Sequence, residues 1–178
     1  MKRRILLGLT VVACAGLSLA ATPPMPEAKI FARLTSAGEA LGGNVSVSSY
    51  GALDVSHDTI ELLGFSWEAA AAKGGGGEPV YAPIRFKKWV DQSSPRFAQA
   101  LVEGSAISGQ FFFFDQDPEG GGARHFYSVE IHDARVVKVG NAMAAAETAV
   151  EEVQLELGTI TVQHEIHGTL FSDSVNGK

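Results

Sequence analysis

Hydrophobic and polar residues alternate along much of this chain, which is the period expected of β-strands. In EEVQLEL the apolar side chains fall on one face and the acidic and amide side chains on the other; the apolar positions are Val153, Leu155 and Leu157. Similar patterns occur in KIFARL, TIELLGFSW, PVYAPIRFKKWV, ISGQFFFFDQD and ARHFYSVEIHDARVVKV. The four consecutive phenylalanines predict a strand buried on both faces or at an interface, and the phase change near Gly158 predicts a bulge.

One segment, DQSSPRFAQALVEGS, has the signals of a helix. Ser94 is a natural N-cap and Pro95 suits the first helical position. Phe97 and Leu101 would share the buried face, and Gly104 would end the helix. Six to eight strands with a single short helix predict a β-barrel or β-sandwich. Long loops rich in Gly, Ala or Ser, at 40–56, 72–78, 116–123 and 140–149, are expected contact surfaces.

The N-terminal residues 1–20 have the three-part layout of a secretory signal: a cationic start (MKRR), an apolar run, and small residues before Ala21. Cleavage after Ala20 would release a chain that begins with a Pro-rich spacer at 21–27, and the protein would be secreted or periplasmic. An uncleaved anchor is the alternative. A further alternative is a lipid-anchored envelope form, because VVAC resembles a lipobox ending at Cys14.

The chain is acidic, with a formal charge of −6 over 178 residues. Cleavage would remove Lys2, Arg3 and Arg4 and take the charge from −6 to −9. Such a protein is a poor partner for nucleic acid, since phosphate binding requires a basic surface. Cys14 is the single cysteine, so the mature chain would fold without disulfides.

None of the candidate catalytic motifs has the residue spacing that its chemistry requires. GFSWE places Glu68 where a nucleophile elbow requires glycine, and GSAISG also fails, so Ser66 is interpreted as an ordinary strand residue. The glycine runs GGGGEP and EGGGAR do not continue as a phosphate-binding loop does. EAAAAK is too short before Gly74 to form more than a nascent helical turn. We therefore predict no enzymatic activity and no cofactor.

Metal-binding patterns are equally weak. His164 and His167 lie three residues apart, so on a strand they would face opposite sides. His125 would share a face with Tyr127 and Val129 as a hydrogen-bonded, half-buried side chain. Carboxylates in the Gly-Pro turn leave a weak calcium site open; they are Asp115, Asp117 and Glu119.

The strand RFKKWV mixes cationic and aromatic residues. Alternation places Arg85, Lys87 and Trp89 on one face and Phe86 and Lys88 on the other. At this net charge we interpret the cationic residues as a solvated strand rather than as a nucleic-acid site.

The order of these segments resembles the Hcp family, whose members form the inner tube of the bacterial type VI secretion system. The resemblance is carried by IELLGFSWEAAA, PIRFKKWVDQSSPRFAQALVEGSAI, YSVEIHDARVVKV and EEVQLELGTITVQHEI, and it spans about residues 28–171. It implies a mainly β fold, a β-barrel of two antiparallel sheets with one short flanking α-helix, followed by a tail at 172–178. It also implies hexameric rings that stack into a hollow tube and carry small secreted effector proteins.

The sites implied by the resemblance are architectural. Ser93, Ser94 and Pro95 would begin the helix, and the loop after the Phe-Ser-Trp strand would contact a neighbouring subunit or ring; its contact residues are Glu68, Lys73, Gly74, Gly75, Gly76, Gly77 and Glu78. One feature departs from the family, because its tube subunits need no signal sequence. The expected function is an exported, ring-forming tube protein. The alternative is a secreted, monomeric β-barrel that binds a ligand or an envelope component through its long loops.

Overall fold

A computed structural model describes residues 28–72, 77–142 and 149–175 of the chain. The predicted signal at 1–20, the spacer at 21–27 and Cys14 lie outside these ranges, as do residues 73–76. The elements are β1 (Lys29–Ser36), β2 (Glu39–Ala40), β3 (Ser49–Tyr50), β4 (Leu53–Asp54), β5 (Ile60–Ala70), β6 (Val80–Trp89), α1 (Ser94–Glu103), β7 (Ala106–Gln116), β8 (Ala123–Ala142), β9 (Val150–Glu156), β10 (Thr159–His164) and β11 (Thr169–Ser174).

The strands form an antiparallel barrel, which confirms the predicted mainly β fold with one short helix. Strands pair in the order β8-β7-β1-β5-β6-β9, and β9 pairs back to β8, so the circle is closed. β10 and β11 extend the same sheet from the first half of β8, and β2 pairs with β1. The barrel strands therefore belong to one nine-stranded sheet, and the separate second sheet is the short β3–β4 hairpin.

Two hydrophobic clusters lie on opposite faces of β7. Phe111 packs inside the barrel with residues of every barrel strand, whereas Phe114 packs outside it against Phe31 and Val55. Phe31, Val55, Phe111 and Phe114 are fully buried or nearly so, which confirms the predicted burial of the phenylalanine strand on both faces. The 40–56 segment was expected to be a contact surface, but part of it covers this outer cluster.

The helix differs from the prediction by one residue at its start and in its buried face. Ser93 is the N-cap residue and α1 begins at Ser94, because the Ser94 hydroxyl already accepts hydrogen bonds from Lys88 Nζ and the Asp91 backbone N–H. Phe97 packs on Phe86 with ring centroids 5.6 Å apart, and Ala100, rather than the exposed Leu101, completes the buried face.

The remaining boundaries follow the sequence pattern with small shifts. Gly104 ends the helix in the left-handed conformation, as predicted. β5 runs through Ala70, so the first part of EAAAAK is strand and not a helical turn. Gly158 lies in the connection between β9 and β10 rather than in a bulge within one strand. β11 reaches Ser174, beyond the predicted end of the domain at 171.

Candidate functional site

The barrel includes a four-stranded sheet with two unpaired edges. Along β5, β1 pairs only with residues 60–62, so residues 64–70 are hydrogen-bonded to β6 alone among the described residues. Along β8, pairing with β7 stops at Arg135, so residues 136–142 pair only with β9 within the same described part of the chain. We call these two segments, together with β6 and β9, the open-edged sheet.

The middle of the outward face of the open-edged sheet is polar, whereas Trp89 at one end of it is 44% exposed. Two rows of side chains cross it in register: one is Ser66, Arg85, Gln154 and Lys138, and the other is Gly64, Lys87, Glu152 and Gly140. Gly64 leaves open space at the β5 end of the second row, since a Cβ added there would meet no atom within 4 Å, whereas at Gly140 it would meet Lys138 Cε at 4.0 Å. A groove of about 440 Å³ runs along the β5 side of these rows and is lined by Arg85 and Lys87.

The single carboxylate in these rows is already engaged. Glu152 accepts hydrogen bonds from Gln154 at 2.9 Å and from Lys138 at 3.4 Å. The bond from Gln154, together with Lys138, lowers the pKa of Glu152, although partial desolvation opposes this. Arg85 has no hydrogen bond or ion pair to any described residue, so its guanidinium is available on the surface.

Each unpaired edge also carries an exposed aliphatic side chain at a break in the register. Leu63 lies at the bulge of β5 and is 45% exposed, and Val137 lies at the bulge of β8 and is 43% exposed. Large aliphatic residues left in solvent beside unpaired backbone are typical of a surface that another chain covers.

Behind the open-edged sheet lies a buried cluster of charges. Lys88 is fully buried; its ammonium lies 2.7 Å from Asp91 Oδ1 and 3.1 Å from Glu151 Oε2, and it donates to Ser94 Oγ at 2.9 Å. The prediction that the charged residues of RFKKWV form a solvated strand is therefore wrong for Lys88. Lys88 shares the inward face with Phe86, and Glu151 neutralises it from the adjacent β9.

The buried cluster joins four parts of the chain. Asp91 Oδ2 accepts the backbone N–H of Asn44 from the 40–56 segment, and its Oδ1 accepts the backbone N–H and hydroxyl of Ser93 at the helix start. Lys88 lies on β6 and Glu151 on β9. The cluster thus fixes where the helix begins relative to the open-edged sheet.

Acid is expected to weaken this cluster through Asp91. Burial alone would raise the pKa of Asp91, but hydrogen bonds from Lys88 and Ser93 hold it below its ordinary value of 3.8. A pKa that is lower in the folded than in the unfolded chain gives stability that is complete above the unfolded value and is lost as the pH falls through the folded value. We expect the urea concentration at the midpoint of unfolding to decrease once the pH is lowered below about 4. In Asp91→Asn the same change of pH should decrease it less. An equal fall in both proteins would contradict this role of Asp91.

The predicted contact loop lies at the end of the β5–β6 hairpin. Glu68 is on β5, and Gly77 and Glu78 precede β6; Glu68 and Glu78 are exposed. Lys73, Gly74, Gly75 and Gly76 lie outside the described residues. The role of this loop remains a prediction. Ser66 lies within β5, paired with Arg85, and not at a strand-to-helix turn.

The structure corrects the histidine predictions. His164 ends β10 and His167 lies in the following turn, so their rings come together, with centroids 4.7 Å apart, instead of diverging. A register shift near Phe126 places His125 against Phe112 and Phe114, while Tyr127 packs on Phe113. His125 Nε2 is buried without a hydrogen-bond partner among the described residues, contrary to expectation.

The described residues contain no group of three or more side chains suited to a metal ion. In the turn that the sequence analysis considered for a weak calcium site, Arg124 donates hydrogen bonds to both carboxylate oxygens of Asp115, at 3.0 and 2.7 Å. Likewise, no helix within 28–72, 77–142 or 149–175 has the length and apolar character needed to cross a membrane.

Comparison with known proteins gives consistent matches. The family model described as "Type VI secretion system effector, Hcp" matches residues 44–164. None of the curated protein sequences matches the chain.

Solved structures share the fold at low sequence identity. A crystal structure of an Hcp protein is 20% identical, with a TM-score of 0.71 over 85% of this chain and 100% of its own. The Hcp1 protein of E. coli EAEC 042 is 21% identical, with a TM-score of 0.68 over 83% and 97%. The secreted protein Hcp3 of Pseudomonas aeruginosa is 24% identical, with a TM-score of 0.66 over 84% and 98%.

Proposed function

This chain belongs to the Hcp family of type VI secretion tube proteins, and on that premise we propose that it forms a hexameric ring through the two unpaired edges of the open-edged sheet. The ring is a structural assembly and not an enzyme. The observation that carries the proposal is that the same sheet has one free edge on β5 and a different free edge on β8.

The directions of these strands suit a repeating contact. Neighbouring strands in the order β5-β6-β9-β8 are all antiparallel, so the two outer strands run in opposite directions. When β8 of one subunit lies beside β5 of the next, the pairing is again antiparallel and the ladder continues. Such a contact joins two different surfaces, and it forms a closed ring when the rotation per subunit divides the circle. Closure removes both unpaired edges, which is how barrels avoid uncontrolled strand addition.

The buried side of the sheet determines which face lines the pore. Ile84, Phe86 and Leu155 point into the core of their own subunit. In the ring, the six open-edged sheets would join into one continuous wall around the pore. The six subunit cores are too large to fit inside that wall, so they lie outside it. The polar outward face, with Arg85 and Lys87, then lines a water-filled pore.

The remaining roles follow from the family resemblance. The pore would carry small effector proteins, and the loop around Lys73 and the adjacent glycines would contact a neighbouring subunit or ring. Rings would stack into a tube. The signal at 1–20 would deliver the protein to the periplasm or the exterior.

Lysine substitution at either edge is expected to prevent ring formation. Leu63→Lys or Val137→Lys would bury an unpaired ammonium in the subunit contact, which costs several kcal/mol and should weaken assembly by about two orders of magnitude or more. The molar mass measured by light scattering coupled to size exclusion should be about six times the monomer mass for the wild type and the monomer mass for either variant.

The matched control is Val102→Lys, because Val102 is 87% exposed on the helix and belongs to neither edge strand. It should leave the mass, and pores seen by negative-stain microscopy, unchanged. A wild-type protein that stays monomeric at high concentration would overturn the ring and favour the monomeric binding module.

A further inference from the structure

We propose that the groove lined by Arg85 and Lys87 binds acidic segments of polypeptide. This inference rests on the proposed ring, because ring formation places the groove on the pore wall. It specifies the charge of the polypeptide that the pore wall binds, which ring formation alone does not determine.

The local charge favours an anionic partner although the whole chain is acidic. In the two rows that cross the open-edged sheet, three cationic side chains accompany one carboxylate; they are Arg85, Lys87 and Lys138. Since Glu152 is held by Lys138, Arg85 and Lys87 are left as the surplus. The chain carries a net charge of −6, and this excess of positive charge is confined to these two rows, because the exposed Glu156 follows them on the same face of β9. Six copies around a pore would add their fields.

The shape of the groove suits an extended segment. Arg85 and Lys87 are two residues apart on one face of β6, the spacing at which alternate side chains of a bound strand would face them. Gly64 leaves open space beside Lys87, where another side chain would block access. The Arg85 guanidinium can bind a carboxylate with two parallel hydrogen bonds.

The neighbouring polar groups favour polypeptide over nucleic acid. Glu152 and the amide of Gln154 adjoin the two cations in the same rows. A phosphate backbone places a negative charge at every step and would be repelled by Glu152. A polypeptide can place carboxylates at Arg85 and Lys87 and hydrogen-bond donors at the other two positions.

The test is a titration of the purified protein with a fluorescein-labelled peptide of about ten residues in which glutamate alternates with serine, followed by fluorescence anisotropy at low ionic strength, where such contacts are least screened. Rings of wild-type protein should bind the peptide, and Arg85→Gln/Lys87→Gln should weaken binding by about tenfold or more, since two exposed charge pairs are lost. The side chains of Arg85 and Lys87 are exposed, so the variant should fold and assemble normally.

The matched control is Arg96→Gln/Arg135→Gln, which removes the same charge elsewhere. These guanidinium groups donate to the backbone carbonyls of Ala40 and Gly104, and their loss should change peptide affinity by less than about twofold. Equal binding by wild type and Arg85→Gln/Lys87→Gln would overturn the inference. Tighter binding of a thymidine oligonucleotide of the same length would also overturn it. Light scattering on the same samples separates the two proposals: intact rings without peptide binding overturn only the groove, whereas absence of rings overturns the proposed function.

Discussion

Replacing Lys88 with methionine is expected to destabilise the barrel by about 3–5 kcal/mol, because removing one partner of a buried ion pair leaves the other charge uncompensated. Lys88 is fully buried, while the side chains of Asp91 and Glu151 are only 4% and 1% exposed. Methionine fills a similar volume but donates no hydrogen bond. The two carboxylates would then face each other without the ammonium that lies between them.

Most of the loss in the free energy of unfolding should come from the unpaired carboxylate of Glu151. Asp91 keeps hydrogen bonds from Asn44 and Ser93 when Lys88 is removed. Glu151 has an ion pair with Lys88 at 3.1 Å, and its other neighbours in β9 are apolar on the inward face. A second substitution, Glu151→Leu, should therefore recover about 1–2 kcal/mol of the loss by removing the orphaned carboxylate.

Urea unfolding followed by circular dichroism measures these changes in the free energy of unfolding. Lys87→Met is the matched control, since Lys87 is the exposed neighbour on the same strand and its replacement should change stability by less than about 0.5 kcal/mol. If Lys88→Met and Lys87→Met had equal effects, Lys88 would contribute nothing as a buried ion. If Glu151→Leu lowered stability further in the Lys88→Met background, the carboxylate would not be the source of the cost.

Local alternation in the sequence predicted the strands well but did not show where a charge would be buried. Lys88 has the same parity as Phe86, and Glu151 has the same parity as Val153 and Leu155. One cation and one anion at inward positions of two strands were a signal of a buried pair. Recognising it requires knowing that β6 and β9 are neighbours, which is a long-range property of the fold.

The same limit explains the other differences. The strand rule separated His164 from His167 because it assumed that the strand continued, whereas β10 ends at His164. The position of His125 depends on a register shift between β7 and β8, which the spacing of apolar residues does not reveal. The unpaired edges of β5 and β8 depend on where β1 and β7 stop pairing, so no local pattern could predict the open-edged sheet.

Gly109→Ala is expected to prevent stable folding, with a loss of about 4 kcal/mol or more, which only severe packing or backbone faults produce. A Cβ at Gly109 would overlap the Arg33 carbonyl oxygen and would lie 2.9 Å from Leu34 Cα. Both are backbone atoms of β1, which pairs with β7 at this point. Gly109 also has φ +147°, a conformation that residues with a side chain rarely adopt. Either β1 must separate from β7 here or the strand must change its backbone conformation.

Gly38→Ala is the control for a side chain at positive φ without a steric clash, since Gly38 has φ +86° and open space around its Cβ position. It should cost only the backbone term, about 1–2 kcal/mol, and should remain soluble and folded by circular dichroism. Gly109→Ala should instead unfold at a much lower urea concentration or accumulate as insoluble protein. Equal midpoints for the two variants would show that β1 moves away at little cost, and that contact between β1 and β7 does not require glycine at this position. A large difference would show that the contact with β1 together with the φ of +147°, and not a positive φ in general, excludes a side chain at 109.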